Sequence, residues 1–341
     1  MLNFDFPRLA AIGLTPLLLR QALAQAGDAD ATLCRVSRVQ RDCFWLHDGD
    51  EERRAQVLPS LHGQLAVGDW ALVQPQAAGP WRLLERLEPF NQLARVGDDG
   101  VRQLYASNVD TALLVMGLDG DFNPRRLERY LGLAASAGVA PVVVLSKVDL
   151  CPDAERKVEE LETRLRPLPP ILLLNATDPA CRGALQPWLG AGQTLVLLGS
   201  SGVGKSTLSN TLLGVDAQAV GGVREDDSRG RHTTTARSLL QCPDGSCIID
   251  TPGVRSLQAP LDEETLASSF ADIAELAARC QFRDCSHKLE PGCAVRGAVA
   301  NDRLLNYHKL QREMRRTEQT ALQRQQQRRE WKVRSKASRR R

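Results

Sequence analysis

Gly199-Ser-Ser-Gly-Val-Gly-Lys-Ser-Thr207 is a glycine-rich stretch between two apolar segments. The run before it, 194–198, is typical of a buried strand, and the residues after it, 208–213, have a helical pattern. In a strand–turn–helix setting, glycines let backbone N–H groups surround phosphate oxygens, and the helix N-terminus adds its dipole. We therefore predict a phosphate-binding loop made of Gly199, Ser200, Ser201, Gly202, Val203, Gly204, Lys205, Ser206 and Thr207.

Side chains at the end of this loop and further along the chain fit a magnesium nucleotide. Lys205 would reach the β- and γ-phosphates, and the Ser206 hydroxyl would bind Mg²⁺. Downstream, an apolar strand pattern ends in Asp250-Thr-Pro-Gly253, a D-x-x-G sequence. We expect Asp250 to support Mg²⁺ through water and the Gly253 amide to contact the γ-phosphate. The loop alone is common to ATPases, kinases and GTPases.

A run of threonines lies between these two motifs, in Gly230-Arg-His-Thr-Thr-Thr235. Threonine is common on strand surfaces, so the run has little meaning without its position. Between a phosphate-binding loop and a D-x-x-G strand, it predicts a switch loop that becomes ordered when a triphosphate binds. We expect Thr234 to be the Mg²⁺ ligand of this loop.

The base is predicted to bind at a segment that precedes the phosphate-binding loop, Ser146-Lys-Val-Asp149. A carboxylate at Asp149 can accept hydrogen bonds from guanine N1–H and N2–H₂, which adenine does not offer on that edge. The stem of Lys147 can lie over the base plane, while Ser146 stands where the [NT]-K-x-D pattern has Asn or Thr. On its own such a tetrapeptide is typical of a solvated turn. The predicted base-binding residues here are Ser146, Lys147, Val148 and Asp149.

A second strand pattern, 171–174, ends in Asn175-Ala176, where guanine-binding proteins usually have Ser-Ala with a backbone contact to O6. The order along the chain is thus base reader, second base loop, phosphate-binding loop, switch loop and D-x-x-G. An ordinary GTPase begins with the phosphate-binding loop, so this order is a circular permutation of the same parallel sheet. Permutation is tolerated because domain termini tend to lie at the surface and close together.

Three cysteines and a histidine occur as C-x₄-C-x-H-x₅-C near the C-terminus: Cys280, Cys285, His287 and Cys293. Four such ligands without an open position fit a structural, tetrahedral Zn²⁺ site. Disulfides and buried apolar cysteines are the alternatives. The first residues lack a signal-peptide pattern, so we expect a cytoplasmic protein with reduced thiols, which favours zinc.

Taken together, the permuted order, Gly230–Thr235, Asp250–Gly253 and the cysteine cluster resemble the RsgA family of bacterial GTPases. Residues 106–110 and 122–127 resemble that family too, and the resemblance covers roughly residues 30 to 310. It implies a GTP hydrolase that acts late in assembly of the small (30S) ribosomal subunit, binds its rRNA and is stimulated by the subunit.

The residue that orients the attacking water is not the usual glutamine. Small GTPases place that glutamine directly after D-x-x-G, where this chain has Val254. His232 in the switch loop is the nearest substitute, and the family resemblance supports it as the catalytic residue beside Lys205, Thr234 and Asp250. The alternative is a loop histidine that contacts a partner. Arg229 and Arg231 could supply charge to the phosphates or contact RNA.

The 341 residues suit a multi-domain α/β protein with a permuted GTPase domain. Five short strand patterns before residue 95 fit an OB-type β-barrel or another small barrel, and Arg35, Arg38 and Arg41 there could contact RNA or face solvent. A linker is expected over roughly 87–104. The predicted units are a helical extension over 1–29, a barrel over 30–95, the GTPase domain over 100–260, a zinc-binding domain over 261–318 and a basic tail over 319–341.

Charge is concentrated in that tail, although the whole chain carries only +3. From residue 319 onward there are nine Lys or Arg residues and one acid, Glu330. Such a tail is either solvated or an arm that binds RNA phosphates, and the ribosomal resemblance favours RNA. We expect a monomer that binds GTP, GDP, the small subunit and its rRNA, with no membrane partner.

Two other functions remain compatible with the motifs. A metabolic ATPase or kinase with an incidental zinc site would use ATP, which Asp149 argues against. A nucleic-acid-binding module with a degenerate nucleotide site would bind RNA without hydrolysis, and the intact Lys205, Ser206 and Asp250 argue against that.

Overall fold

The computed structural model describes residues 5–26, 31–40, 43–96, 102–214, 237–250 and 262–315. The predicted switch residues His232 and Thr234, the Gly253 amide and the basic tail over 319–341 lie outside these described residues. No helix within the described ranges is both long enough and apolar enough to cross a lipid bilayer.

Two short helices precede the first strand. Each begins with a side-chain cap: Asp5 and Thr15 accept hydrogen bonds from backbone N–H groups that the helix itself leaves unpaired. Each also has a proline in the first turn, where the missing N–H costs no hydrogen bond. Leu9 and Leu18 point from them into the core shared with the GTPase sheet. The helices are α1 (Phe6–Ala11) and α2 (Pro16–Gln25).

A closed barrel of five strands follows, as the OB-type prediction requires. Its strand order is first, second, third, fifth, fourth and back to the first, so every strand has two neighbours. Alternate residues such as Phe44 and Leu46 fill its interior. The strands are β1 (Thr32–Gln40), β2 (Cys43–His47), β3 (Glu52–Gln56), β4 (Trp70–Gln74) and β5 (Trp81–Arg86), with a 3₁₀ turn at Pro59–Leu61.

The prediction that Arg35 contacts RNA or solvent is wrong, because its side chain is fully buried. Its guanidinium donates to the carbonyl of Ile12 in the N-terminal extension, to Asn108 O at 3.0 Å and to Thr194 Oγ1 at 3.0 Å. A buried guanidinium needs such partners to offset lost hydration. Arg35 therefore fastens the barrel to the strand that leads to the phosphate-binding loop.

The segment expected to be a linker contains an antiparallel hairpin of its own. Its strands are β6 (Gln92–Val96) and β7 (Arg102–Ser107). The guanidinium carbon of Arg237 lies 4.6 Å from the centroid of the Tyr105 ring on β7. The hairpin thus packs against the GTPase sheet rather than spanning open space.

The GTPase sheet is central and mostly parallel, as the permuted α/β prediction requires. Its order is β10-β9-β8-β11-β13-β12, in which only β12 is antiparallel, and β12 also pairs with β1 of the barrel. The strands are β8 (Thr111–Gly117), β9 (Ala140–Ser146), β10 (Ile171–Leu174), β11 (Thr194–Leu198), β12 (Arg237–Gln241) and β13 (Cys247–Asp250).

Helices cover both faces of this sheet, and strands such as β8 and β11 are therefore apolar along their whole length. The helices are α3 (Pro124–Ser136), α4 (Ala154–Arg164), α5 (Cys181–Leu185) and α6 (Lys205–Leu213), with 3₁₀ turns at Val148–Leu150 and Gln186–Trp188.

The C-terminal part is a small helical unit with its own core, formed around Phe270 and Ile273. Its cysteine-containing loop, 278–300, lies between the second and third of its helices. These are α7 (Glu263–Ser269), α8 (Ala271–Ala277) and α9 (301–315).

Candidate nucleotide-binding and metal sites

Most of the predicted nucleotide-binding residues meet at one edge of the sheet. Strands β9, β10, β11 and β13 are parallel neighbours or near neighbours, so their carboxyl ends lie side by side. In open α/β sheets ligands bind at this edge. Here it carries Lys147, Asn175, Gly199 and Asp250, each at or just beyond the end of its strand.

The phosphate-binding loop is shaped by glycines at two positions. A Cβ on Gly199 would lie 2.3 Å from the Val115 carbonyl of β8, so no larger residue fits this approach. Gly204 has φ +93°, a left-handed conformation that other residues rarely adopt, and it directly precedes the first turn of α6. Ser201 and Gly202 at the loop tip are exposed. The loop therefore presents backbone N–H groups and a helix N-terminus, as a phosphate site requires.

Lys205 folds back over this loop. Its ammonium donates to Gly199 O at 2.9 Å and Ser200 O at 2.5 Å, and the residue is only 7% exposed. Burial lowers its pKa to about 8, while the charges of Asp250 and Asp121 act in the opposite direction. A phosphate in the loop would supply the negative charge that this desolvated ammonium lacks.

Of the three residues predicted to support magnesium, Ser206 and Asp250 are among those that the structure describes. Ser206 lies half-buried in the first turn of α6, and Asp250 is the last residue of β13. Asp250 ends β13 beside β11, the strand that leads into the phosphate-binding loop, and its charge favours the ammonium form of Lys205. A hydroxyl and a carboxylate are oxygen ligands of the kind that Mg²⁺ prefers, usually with several waters. These two residues could hold Mg²⁺ together with a nucleotide.

The base-reading segment contacts the phosphate-binding loop directly. The Ser146 hydroxyl, fully buried, donates to Val203 O at 2.6 Å and lies 3.4 Å from Met116 O. Serine therefore provides a side-chain bond to the loop at the position where Asn or Thr is usual. Lys147 has a left-handed backbone with φ +60°, and Asp149 follows in the 3₁₀ turn with its carboxylate exposed.

The second base loop is joined to α6, the helix that follows the phosphate-binding loop. The Asn175 side chain stabilises its own turn, because its Oδ1 accepts from the Thr177 N–H at 3.0 Å and from the Thr177 hydroxyl at 2.7 Å. The Ala176 carbonyl accepts from the Thr211 hydroxyl of α6 at 2.7 Å.

Three residues at this edge were missed by the sequence analysis. The Arg126 guanidinium, at the start of α3, contacts the Ser200 hydroxyl of the phosphate-binding loop and also pairs with Asp121. The Tyr130 hydroxyl, one turn later, hydrogen-bonds with Ser200 as well. No spacing in the sequence marks these contacts, which join residues about seventy positions apart. They fix the phosphate-binding loop to α3.

The cysteine cluster has dimensions that fit a zinc ion. The four ligand atoms of Cys280, Cys285, His287 and Cys293 lie within 4.8 Å of one another. Sγ of Cys280 and Sγ of Cys293 are 4.0 Å apart, and each is 3.6 Å from Nδ1 of His287. Tetrahedral Zn²⁺ with Zn–S of about 2.3 Å and Zn–N of about 2.0 Å needs separations of roughly 3.5–3.8 Å. The cluster could therefore hold one zinc ion with little movement.

Two of these thiols, Cys285 and Cys293, differ in how readily they ionise. Desolvation opposes ionisation of Cys293, but backbone N–H groups of Val295 and Arg296 and the His287 ring outweigh it and lower the pKa to about 6. Desolvation, followed by the neighbouring thiols, raises the pKa of Cys285 to about 11. A divalent cation would supply the positive charge that lets all three thiols ionise.

Comparison with known proteins identifies the family. A family model described as RsgA GTPase matches residues 86–260, about half of the chain. This chain belongs to the RsgA GTPase family. The match begins at the end of β5 and extends beyond the D-x-x-G sequence, so it covers both base loops and the phosphate-binding loop. The chain is thus a GTP hydrolase of this family.

Related RsgA proteins cover most of the chain. The "small ribosomal subunit biogenesis GTPase RsgA 2" of Vibrio vulnificus (strain CMCP6) is 44% identical over 310 residues, 89% of this chain and 87% of that protein. The "small ribosomal subunit biogenesis GTPase RsgA" of Xylella fastidiosa (strain 9a5c) is 50% identical over 258 residues, 74% of each.

Two solved structures have a similar architecture. YjeQ from Thermotoga maritima superposes with a TM-score of 0.59 at 26% identity, over 83% of this chain and 98% of that chain. YloQ, described as a circularly permuted GTPase, superposes with a TM-score of 0.58 at 22% identity, over 85% and 96%. The permuted fold expected from the motif order is therefore confirmed.

Proposed function

We propose that this RsgA-family chain hydrolyses GTP to GDP and phosphate during late maturation of the small (30S) ribosomal subunit. One observation carries the guanine specificity: the base-reading segment bonds directly to the phosphate-binding loop, from the Ser146 hydroxyl to Val203 O at 2.6 Å. Asp149, three residues on, is exposed at the same edge. Such a site holds the base and the phosphates at fixed positions relative to each other, and Asp149 rejects adenine.

The phosphate chemistry is assigned to residues around the loop. Phosphoryl transfer needs positioning and charge neutralisation more than covalent chemistry. Lys205 and the loop amides would hold the β- and γ-phosphates, and Ser206 and Asp250 would hold Mg²⁺, which neutralises developing charge on the phosphates. We assign Thr234 as a further Mg²⁺ ligand, the Gly253 amide as a γ-phosphate contact, and His232 as the residue that orients water.

The remaining units are proposed to bind the ribosomal subunit. The names of the relatives given above support the small subunit as the partner. We assign rRNA contacts to the barrel and to the basic tail over 319–341, and one structural Zn²⁺ to the C-terminal cluster. We further propose a cytoplasmic monomer. Without a glutamine after D-x-x-G, intrinsic turnover is expected to be slow and to increase when the subunit binds.

The test is GTP hydrolysis measured with and without purified small subunits, with ATP as the control substrate. We expect little ATP hydrolysis and a GTP turnover that the small subunit raises at least about tenfold, since ordering a switch residue is worth this much or more. Large subunits serve as the control for nonspecific RNA.

Two outcomes would contradict the proposal in different ways. Equal hydrolysis of ATP and GTP would contradict the base assignment and favour a metabolic ATPase or kinase. GTP-specific turnover that small and large subunits raise equally, or not at all, would keep the GTPase and remove the small subunit as the partner. His232→Ala, assayed with the subunit present, then separates loss of the chemical step from loss of binding.

A further inference from the structure

The loop between β8 and α3, residues 118–123, lies at the nucleotide edge of the sheet, although none of the predicted nucleotide-binding residues belongs to it. It leaves β8 between the base-reading strand β9 and the phosphate-binding strand β11. Its backbone bonds to the base-reading strand β9 and to helix α4. The Leu118 N–H donates to Ser146 O at 2.9 Å, and the Lys157 ammonium of α4 donates to Leu118 O at 2.8 Å. The loop is therefore held against the base reader.

A carboxylate of this loop holds the base-reading lysine. The Lys147 ammonium is 2.5 Å from Oδ2 of Asp119, and the two side chains are 25% and 35% exposed. The other oxygen, Oδ1, accepts the Asp121 N–H at 3.1 Å. Both carboxylate oxygens of Asp119 thus have partners, which fixes its orientation toward Lys147.

The surrounding backbone is shaped for this pair. Gly117 ends β8, and a Cβ there would lie 2.6 Å from Oδ1 of Asp119. A larger residue would push the carboxylate away from its position. On the other side, the left-handed backbone of Lys147, at φ +60°, costs energy in a non-glycine residue and persists where other contacts compensate. The close approach at Gly117 and the left-handed backbone at Lys147 therefore both lie beside this ion pair.

Burial opposes the charge of Asp119, but its hydrogen bond with Lys147 and the Asp121 N–H outweigh this and lower its pKa. The carboxylate is thus ionised throughout the neutral pH range.

We propose that Asp119 is a positioning residue of the guanine site, which holds the Lys147 ammonium so that the lysine stem is already extended when the base arrives. This inference rests on the proposed GTP-binding function. A free lysine side chain loses considerable rotamer entropy when it is ordered, and a side chain ordered before binding avoids that loss. The base is the same in GTP and GDP, so the gain in affinity is the same for both nucleotides.

The experiment compares two substitutions that remove the ion pair from opposite sides. Asp119→Asn keeps the shape and the Oδ1 acceptor, and Lys147→Met keeps an unbranched apolar stem, but both abolish the pair. We expect each to weaken binding of fluorescently labelled GDP and of a non-hydrolysable GTP analogue by about threefold to tenfold, the range of a partly exposed pair with its ordering effect. In hydrolysis the loss should fall on KM rather than kcat.

The double variant decides whether Asp119 acts through Lys147. If it does, Asp119→Asn has no further effect once the lysine is gone, and the double variant binds as tightly as Lys147→Met alone. Asp153→Asn is the matched control, because it removes a nearby carboxylate and its ion pair with Arg156 on the same side of the domain. We expect it to leave the affinity for GDP unchanged.

Three results would overturn the inference: wild-type affinity in folded Asp119→Asn, losses that multiply in the double variant, or an equal loss in Asp153→Asn. Should Asp119→Asn not fold, as judged by thermal unfolding, Lys147→Met still has to show the loss for both nucleotides. Failure of the proposed function has a different signature, because the wild-type protein would then not prefer guanine over adenine nucleotides at all.

Discussion

Arg303 and Glu128 form an ion pair of 2.5 Å in which each side chain is only 2% exposed. Glu128 lies in the middle of α3, beside the phosphate-binding loop contacts, and Arg303 lies on α9 of the C-terminal unit. Arg164 of α4 donates to the same carboxylate through two nitrogens, at 2.7 and 3.1 Å. Asn306 donates to it as well. One buried carboxylate therefore joins the C-terminal unit to the GTPase domain.

Glu128→Ala should strongly destabilise the protein. Exchanging a whole buried ion pair for apolar groups is often nearly neutral, but removing one partner leaves uncompensated charge. Here the guanidiniums of Arg164 and Arg303 would lose a shared partner inside the protein. Arg164 keeps its pair with Asp302 and Arg303 its pair with Asp272, so part of the charge stays compensated. We therefore expect the free energy of unfolding, measured by urea denaturation, to fall by about 3 kcal/mol, the low end for breaking a buried pair.

Arg129→Ala is the matched control, one residue along the same helix. Arg129 pairs with Glu313 of α9, and their side chains are 19% and 24% exposed. Losing this more hydrated pair should cost at most about 1 kcal/mol. Equal losses in the two variants would mean that the buried position of Glu128 is not what matters.

Ser146→Ala should weaken nucleotide binding without loss of the fold. The substitution removes the hydroxyl that donates to Val203 O and leaves a carbonyl of the phosphate-binding loop without this donor. A lost bond of this kind costs about 1 kcal/mol or more. We expect dissociation constants for GDP and a GTP analogue, measured by fluorescence titration, to rise about fivefold to tenfold.

Two serine controls test that interpretation. Ser146→Thr keeps the hydroxyl and should retain most of the affinity. Ser136→Ala removes a hydroxyl that bonds to Leu133 O at the end of α3, away from the nucleotide edge, and should leave affinity unchanged. If Ser146→Ala bound GDP as tightly as wild type, the link between base reader and phosphate-binding loop would have no energetic role.

The structural features that the sequence predicted, namely the glycine-rich turn, the Cys/His cluster and the barrel strands, belong to local patterns. Gly199 and Gly204 are needed because the chain itself turns tightly there, and the requirement is written within nine consecutive residues. The same holds for the four ligand-type residues between Cys280 and Cys293. The strand periodicity of the barrel is equally local, which is why its five strands could be predicted from the sequence.

What the sequence did not reveal depends on contacts between distant segments. Arg35 looked like one of several strand arginines, and only the packing of three units shows that it is buried. Asp119 and Glu128 carry no motif, since their partners Lys147 and Arg303 lie far along the chain. A charged residue on a helix or loop usually faces solvent, so pattern alone cannot separate these from ordinary surface charges. The roles of His232, Thr234 and Gly253 stay predictions.

Zinc removal should unfold the C-terminal unit selectively. Cys285→Ser removes one thiolate from the cluster, and we expect bound zinc, measured by inductively coupled plasma mass spectrometry, to fall from one ion per chain to near zero. Because the ligand loop packs on the core around Phe270, protease cleavage between α8 and α9 should accelerate.

Cys43→Ser is the control for a lost thiol, since Cys43 lies in the barrel. It should retain zinc and resist cleavage like the wild type. A wild-type protein purified without chelators that contained no zinc, or a Cys285→Ser variant that kept it, would contradict the assignment.

Nucleotide affinity should depend on pH through Lys205. Burial lowers the pKa of this lysine to about 8 in the empty site, below its usual 10.5. In the unfolded chain the lysine keeps its proton to higher pH, so the ammonium opposes folding fully below pH 8, and this penalty is relieved as pH rises through 8. The phosphates of a bound nucleotide raise the pKa of Lys205, because their negative charge favours the ammonium form.

Nucleotide binding must therefore take up a proton wherever the empty site is neutral. Affinity for GDP should be nearly constant below pH 8 and should fall as pH rises through 8, by about tenfold between pH 7 and pH 9. Calorimetry at pH 8.5 in buffers of different ionisation enthalpy should detect the uptake directly. Lys205→Met should bind weakly and lack this slope, whereas deprotonation of the guanine itself affects both proteins and cancels in the comparison. The same slope in both proteins would show that another group controls it.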